Sequence, residues 1–244
     1  MIYNTRFNPT VSGNDLHCGH LYTALVNERE AHRSGGKFIV RIDDTQEYWV
    51  HEFGRKLVNQ FADNYEQELR RFMVIDTCEM QSNLPMAETI MDLSPYPYLK
   101  ELKSKWLHDQ TPEWLPDPDM VMYPYTAKYT LEKVIWDMYE RVNWLIRGED
   151  LVTETSLYDY FVDVLGVPRM RHTFIPRLRA NFREELMPIG ISKSMGKYRV
   201  SKQLDKFGVT QTLDFLKSSC LKDPKGEFDL ENIKWNPTIV GFEE

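Results

Sequence analysis

The stretch HCGH, residues 17 to 20, sets two imidazoles three positions apart with Gly19 between them. Histidines at that spacing suit three kinds of chemistry. They can hydrogen-bond to nucleotide phosphates and to the pentacoordinate state of a phosphoryl or nucleotidyl transfer. They can ligate a metal, given two further ligands from elsewhere in the chain. They can also be incidental residues of a polar turn. Gly19 removes a side chain where another group must come close. Three more stretches carry reactive side chains. RIDDT (41–45) ends in paired acids able to hold an amine or a metal, or to cap a following helix. RGED (147–150) offers an arginine suited to bidentate pairing with a carboxylate, or to a salt bridge with its own acidic neighbours. GISKS (190–194) puts Lys193 in a loop of small residues, where an ammonium can meet phosphate as a point charge and release it.

The elements that must position these residues can be read from periodicity. Residues 2–8 read as a short strand running into the turn-rich NPTVSGND. From His20 onward, Leu21, Ala24, Leu25 and Ala31 recur at roughly helical spacing, and SGG (34–36) supplies the stop. KFIVRIDD (37–44) is a compact apolar strand ending in acids. Strand, turn, helix and strand within about forty-five residues is the βαβ pattern of a parallel sheet. Ligands of such sheets bind beyond the carboxyl ends of the strands, where HCGH and the paired acids fall. Residues 47–72 read as one long charged amphipathic helix, and 74–125, with seven prolines, as an irregular insertion between two halves of the sheet. Regular pattern returns with a helix around 127–138, a strand over 142–148, a helix over about 154–165, a loop at 190–202 and a final helix over 209–219.

Composition narrows the class. The chain has 244 residues, 42% hydrophobic and 27% charged, with no apolar run long enough to span a bilayer and no secretory signal pattern. Its three cysteines, Cys18, Cys78 and Cys220, are far apart, which argues against a disulfide framework and a cysteine-based zinc site and suits a reducing cytoplasm. The formal net charge of −7 leans against extensive nucleic-acid binding, although VPRMRHTFIPRLRANFR (167–183) is a local basic run.

Taken in order, TRFNPT, HCGH, GGKFIVRIDDT, VNWLIRGEDL and ISKS resemble the motif series of class I aminoacyl-tRNA synthetase catalytic domains, most closely the glutamyl and glutaminyl enzymes. HCGH stands in the place of the HIGH signature, and GISKS in that of KMSKS, with Gly190 replacing the first lysine. The resemblance covers roughly 1–46 and 123–200. It implies an α/β, Rossmann-like parallel sheet with a HIGH/KMSKS-type nucleotide site and a small inserted subdomain. The catalytic domain is expected over 1–46 and 123–200, a short connecting insertion over 47–122 and a helical tail over 201–244, without an anticodon-binding domain. That arrangement resembles glutamyl-queuosine tRNA-Asp synthetases, which keep the catalytic half alone.

The resemblance implies ATP-dependent activation of an amino acid to an aminoacyl-adenylate, with Mg²⁺ accompanying ATP. His17 and His20 are expected to contact the nucleotide, Gly19 to allow its approach, Ser192 and Ser194 to line the same site, and Lys193 to steady the departing pyrophosphate. Arg6 maps to the arginine that grips the substrate's side-chain carboxylate, Thr10 to the neighbouring serine, and Asp43 to the acid that holds the α-amino group. An ungapped count back from Arg147 gives Tyr129 as the substrate tyrosine, with Tyr125 as its rival. The same count puts Lys133 where glutamyl enzymes carry asparagine, and Leu151 where some carry tryptophan. Arg6 and Arg147 favour a substrate with a side-chain carboxylate, such as glutamate. No structural zinc is expected, since the insertion holds one cysteine, Cys78. The partners implied are ATP, the amino acid and an acceptor, either tRNA or a small molecule, protein or modified nucleobase. Two other classes remain: a nucleotidyltransferase, which shares the HxGH turn, and a catalytically silent binding module.

Overall fold

The computed structural model describes residues 1–96, 124–148, 151–152 and 154–175, together with the strand backbones at 179–180 and 189–190. The described residues group into two compact units. One comprises residues 1–84, 146–148 and 172–175 with the strands at 179–180 and 189–190; the other comprises 85–96, 124–145, 151–152 and 154–171.

The first unit is built on β1 (Thr5–Phe7), α1 (Cys18–Arg33), β2 (Phe38–Ile42), α2 (Glu47–Phe53), α3 (Arg55–Phe72) and β3 (Thr77–Met80). It takes in most of β4 (Trp144–Gly148) and β5 (Arg171–Ile175). The five strands form one sheet in the order β3-β2-β1-β4-β5, and the β1–β2 and β2–β3 pairs are parallel. Every residue of β2 is buried, so it reads as a continuous apolar run rather than an alternation, as expected of a parallel strand covered on both faces. The helical spacing of Leu21, Ala24, Leu25 and Ala31 puts all four in the core, against Phe38, Val40 and Ile42 of the same unit.

The long helix expected over 47–72 is two helices. Gly54 sits between them at φ 79°, a left-handed value that breaks the ladder and that a side chain would resist. α2 buries none of its residues; Trp49 stacks on Phe53 at 5.6 Å, and Phe53 meets Phe61 of α3 edge-on. α3 does bury a stripe, Val58, Ala62, Tyr65, Leu69 and Phe72, at helical spacing.

The second unit holds α4 (Ala87–Ile90), α5 (Pro124–Tyr139) and α6 (Thr155–Val164). Leu131, Val134 and Ile135 of α5 and Leu157, Phe161 and Val162 of α6 are buried. The Tyr158 hydroxyl donates to the wholly buried Asp137 carboxylate at 2.9 Å, which supplies that charge with a partner. A short antiparallel ladder pairs β6 (Arg179–Ala180) with β7 (Ile189–Gly190). The helix expected over 209–219 lies outside the described residues. Among the described residues no helix is long and apolar enough to cross a membrane.

Candidate active site

His17 is the N-cap of α1, in extended conformation at φ −106° and ψ 162°. Its Nδ1 accepts the His20 amide at 3.3 Å, sharing a first-turn amide that also donates to His17 O at 2.9 Å. An accepting Nδ1 leaves Nε2 as the protonated nitrogen of a neutral ring. The His17 and His20 rings stack, with centroids 3.7 Å apart and planes 23° from parallel. This stacking requires Gly19, because a Cβ there would lie 2.9 Å from His17 Cε1. Among the described residues no three of histidine, cysteine, aspartate and glutamate gather as metal ligands.

The same sheet edge holds the acids. Thr10 and Asp43 form a parallel bridge just past β1 and β2, with the Val11 amide donating to Asp43 O at 2.9 Å and the Asp43 amide to Pro9 O at 2.9 Å. Asp43 is buried, and its carboxylate is held from four sides. Oδ1 accepts from the Thr45 amide at 3.1 Å and from Thr45 Oγ1 at 2.8 Å. Oδ2 accepts from Gln46 Nε2 at 2.7 Å and from Thr10 Oγ1 at 3.4 Å. The long Thr10 contact is the one an incoming ammonium would most readily replace. Asp44, equally buried, points elsewhere: its carboxylate accepts from the Ser82 amide and hydroxyl and lies 3.6 Å from Arg55 Nη1. The paired acids therefore divide, Asp43 standing at the Thr10 bridge and Asp44 anchoring the segment after β3.

Arg6 is buried on β1. Its neighbours Thr5 and Phe7 face α1: Thr5 Oγ1 donates to Asn27 O at 2.9 Å, and the Phe7 ring lies 6.1 Å from that of His20. Strand alternation then puts Arg6 on the opposite face, beside its register partner Ile39 and the wholly buried Arg41. Arg147, on β4, is also buried; its guanidinium lies 3.3 Å from His172 Nδ1 and 5.5 Å above the Phe174 ring. Tyr129 is half-buried on α5 of the second unit, and Lys133 follows one turn later on that helix. The backbone of Gly190 pairs with Arg179, while Ser192, Lys193 and Ser194 lie outside the described residues.

Several residues that hold this edge together have no motif to reveal them. Asn27, buried in α1, donates through Nδ2 to Ile146 O on β4 at 3.0 Å and to Thr23 O at 2.9 Å. Glu68 on α3 accepts the Leu16 amide at 3.2 Å, and burial pushes its carboxyl up to about 7. A signal for Glu68 did exist: it is an acid on the apolar stripe of α3, beside Leu69 and one turn before Phe72. Cys78 is a free thiol that burial pushes up to about 12, far from a reactive thiolate.

Residues 3–61 match the family model described as tRNA synthetases class I (E and Q), catalytic domain. A glutamate–tRNA ligase of Orientia tsutsugamushi (strain Ikeda) is 24% identical over 264 aligned positions, covering 84% of this chain and 57% of the relative. A glutamyl-Q tRNA(Asp) synthetase of Methylococcus capsulatus is 55% identical over 42 residues, 17% of this chain and 14% of that protein. Among solved structures, a glutamate tRNA ligase from Elizabethkingia meningosepticum superposes with TM-score 0.52 at 17% identity, covering 85% of this chain and 53% of the other. The tyrosyl-tRNA synthetase of Archaeoglobus fulgidus gives 0.56 at 14% identity, over 82% and 61%. The chain thus spans little more than half the length of the longer relatives it matches. In sequence over its first strands and in its α/β, Rossmann-like sheet, the chain resembles the catalytic domain of class I aminoacyl-tRNA synthetases of the glutamyl and glutaminyl family.

Proposed function

We propose that this chain is an ATP-dependent ligase that activates glutamate to glutamyl-adenylate and passes the glutamyl group to a tRNA. The observation that carries the reading is the single sheet edge where the His17–His20 turn, the end of β1 and the Thr10–Asp43 bridge meet. In the reaction, a carboxylate oxygen of the amino acid bonds to the α-phosphorus of ATP as the bond to the β-phosphate bridging oxygen breaks, releasing pyrophosphate. Positioning and charge stabilisation carry such a step, with no protein acid or base in the covalent chemistry. His17 and His20 offer ring N–H groups at the positive end of α1, where developing phosphate charge is favoured. Gly19 leaves room for the His17 ring in that turn, and its role in admitting the nucleotide comes from the resemblance.

The substrate's α-ammonium is assigned to Asp43, entering at the long Thr10 contact. Its side-chain carboxylate is assigned to Arg6 and Arg147, whose burial strengthens pairing with an anion. Tyr129, Ser192, Lys193 and Ser194 take their roles, in amino-acid binding and pyrophosphate release, from the resemblance alone. Mg²⁺ enters with ATP as part of the substrate. The reaction is assigned to the cytoplasm, and tRNA is the acceptor because the relatives' names carry it.

Exchange of labelled pyrophosphate into ATP, run with each amino acid and with or without bulk tRNA, tests the proposal. Glutamate is expected to support exchange, and Arg147→Ala to abolish that preference. Absence of exchange with every amino acid, tRNA included, would refute activation; exchange that needs no amino acid would point to a nucleotidyltransferase.

A further inference from the structure

The loop that delivers the histidine turn, residues 12–16, is gripped by one face of α3. Asn64 Nδ2 donates to Asn14 Oδ1 at 2.7 Å. Tyr65 is wholly buried; burial raises its phenol above the ordinary value, and Ser12 is close enough to oppose that rise. One turn on, Glu68 Oε2 accepts the amide of Leu16, a residue with no solvent exposure. Leu16 immediately precedes the N-cap His17, so this bond fixes the point at which α1 begins. The stacked imidazoles depend on that point, since His17 reaches its cap partner only from extended backbone.

We propose that Glu68 is a positioning residue for the nucleotide turn: by holding the Leu16 amide it sets where His17, Gly19 and His20 stand, and so tunes nucleotide affinity. The inference rests on reading that turn as the ATP site. The acceptor is decisive because the Leu16 amide is buried and a hydrocarbon at position 68 would leave it without a partner. Other groups act on Glu68 without replacing it. Asp15 raises its carboxyl further and Arg71 lowers it, while the Tyr65 phenol feels its charge in turn.

The test compares the full chain with Glu68→Leu, which keeps the bulk and loses the acceptor, and Glu68→Gln, which keeps a carbonyl acceptor. Two readouts are taken: hydrogen exchange of the amides in residues 12–21, and titration with MgATP. Glu68→Leu is expected to exchange faster in that segment while β1 and β2 stay protected. Its apparent KM for ATP in pyrophosphate exchange should rise about tenfold with kcat within about twofold. Glu68→Gln should return both readouts to within about threefold of the parent chain. Unchanged exchange and unchanged ATP affinity in Glu68→Leu would overturn the proposal, as would a glutamine variant as impaired as the leucine one. Should the parent chain bind no MgATP, the nucleotide reading of the turn fails. Hydrogen exchange at 12–21 would still decide whether Glu68 holds the loop.

Discussion

Gly19→Ala separates the stability of the fold from the geometry of the turn. Alanine in place of helical glycine ordinarily stabilises by about 0.5–1 kcal/mol, because glycine costs more entropy to order. Here the new Cβ would stand 2.9 Å from His17 Cε1 and 3.0 Å from its Nδ1, closer than carbon tolerates. The ring is the mobile partner, so it swings away and gives up its share of the His20 amide, which keeps its 2.9 Å bond to His17 O; the loss is at most about 1 kcal/mol. The two effects nearly cancel. The variant should therefore unfold in urea within about 1 kcal/mol of the parent chain while its stacked imidazoles are lost. If those imidazoles stabilise the transition state as oxyanion donors do, losing one costs about 3 kcal/mol, or roughly a hundredfold in pyrophosphate exchange. Exchange within threefold of the parent in a folded Gly19→Ala protein would refute the assignment of the turn. Collapse of the fold would show that Gly19 serves packing instead.

Two further variants probe the supports of the site. Asn27→Leu removes the donor to Ile146 O and leaves that carbonyl without its partner, so urea unfolding should show a loss of about 2 kcal/mol; a loss below about 0.5 kcal/mol would mean the bond does not tie α1 to β4. Glu68→Gln should also change how stability depends on pH. Burial pushes the folded carboxyl up to about 7 from its ordinary 4.5, so the fold favours its neutral form. That contribution is full below about 4.5 and fades as pH rises through about 7, with an upper bound near 3 kcal/mol. Denaturation midpoints from pH 4 to 8 should decline for the parent and stay flatter for the glutamine variant; parallel curves would remove Glu68 as the cause.

The parts of the site nearest the strands were legible because two periodicities agreed there. Leu21, Ala24, Leu25 and Ala31 marked α1, the apolar FIVRI run marked a strand that the structure buries throughout, and Gly19 marked a close approach that the structure locates at the His17 ring. The division of the two acids was not legible, since neighbouring aspartates look alike until Thr10 and Ser82 choose between them. The break at Gly54 was hidden because α2, with no buried residue, continues the charged pattern of α3. β3 escaped notice because Thr77–Met80 is a half-exposed edge with neither alternation nor a hydrophobic run. Glu68 and Asn27 each serve a backbone group of a distant segment: an acid on the apolar stripe of α3 marks Glu68 as unusual without naming its partner, and Asn27 carries no such mark.

The most direct test of the account is calorimetric titration with a non-hydrolysable glutamyl-adenylate, set beside its glutaminyl and tyrosyl counterparts. If the histidine turn, Asp43 and the two arginines serve one ligand, the glutamyl compound should bind at least about a hundredfold more tightly than ATP or glutamate alone. It should also outcompete both counterparts and lose that advantage in Arg6→Ala and Arg147→Ala. Equal binding of all three compounds, or none of any, would contradict it.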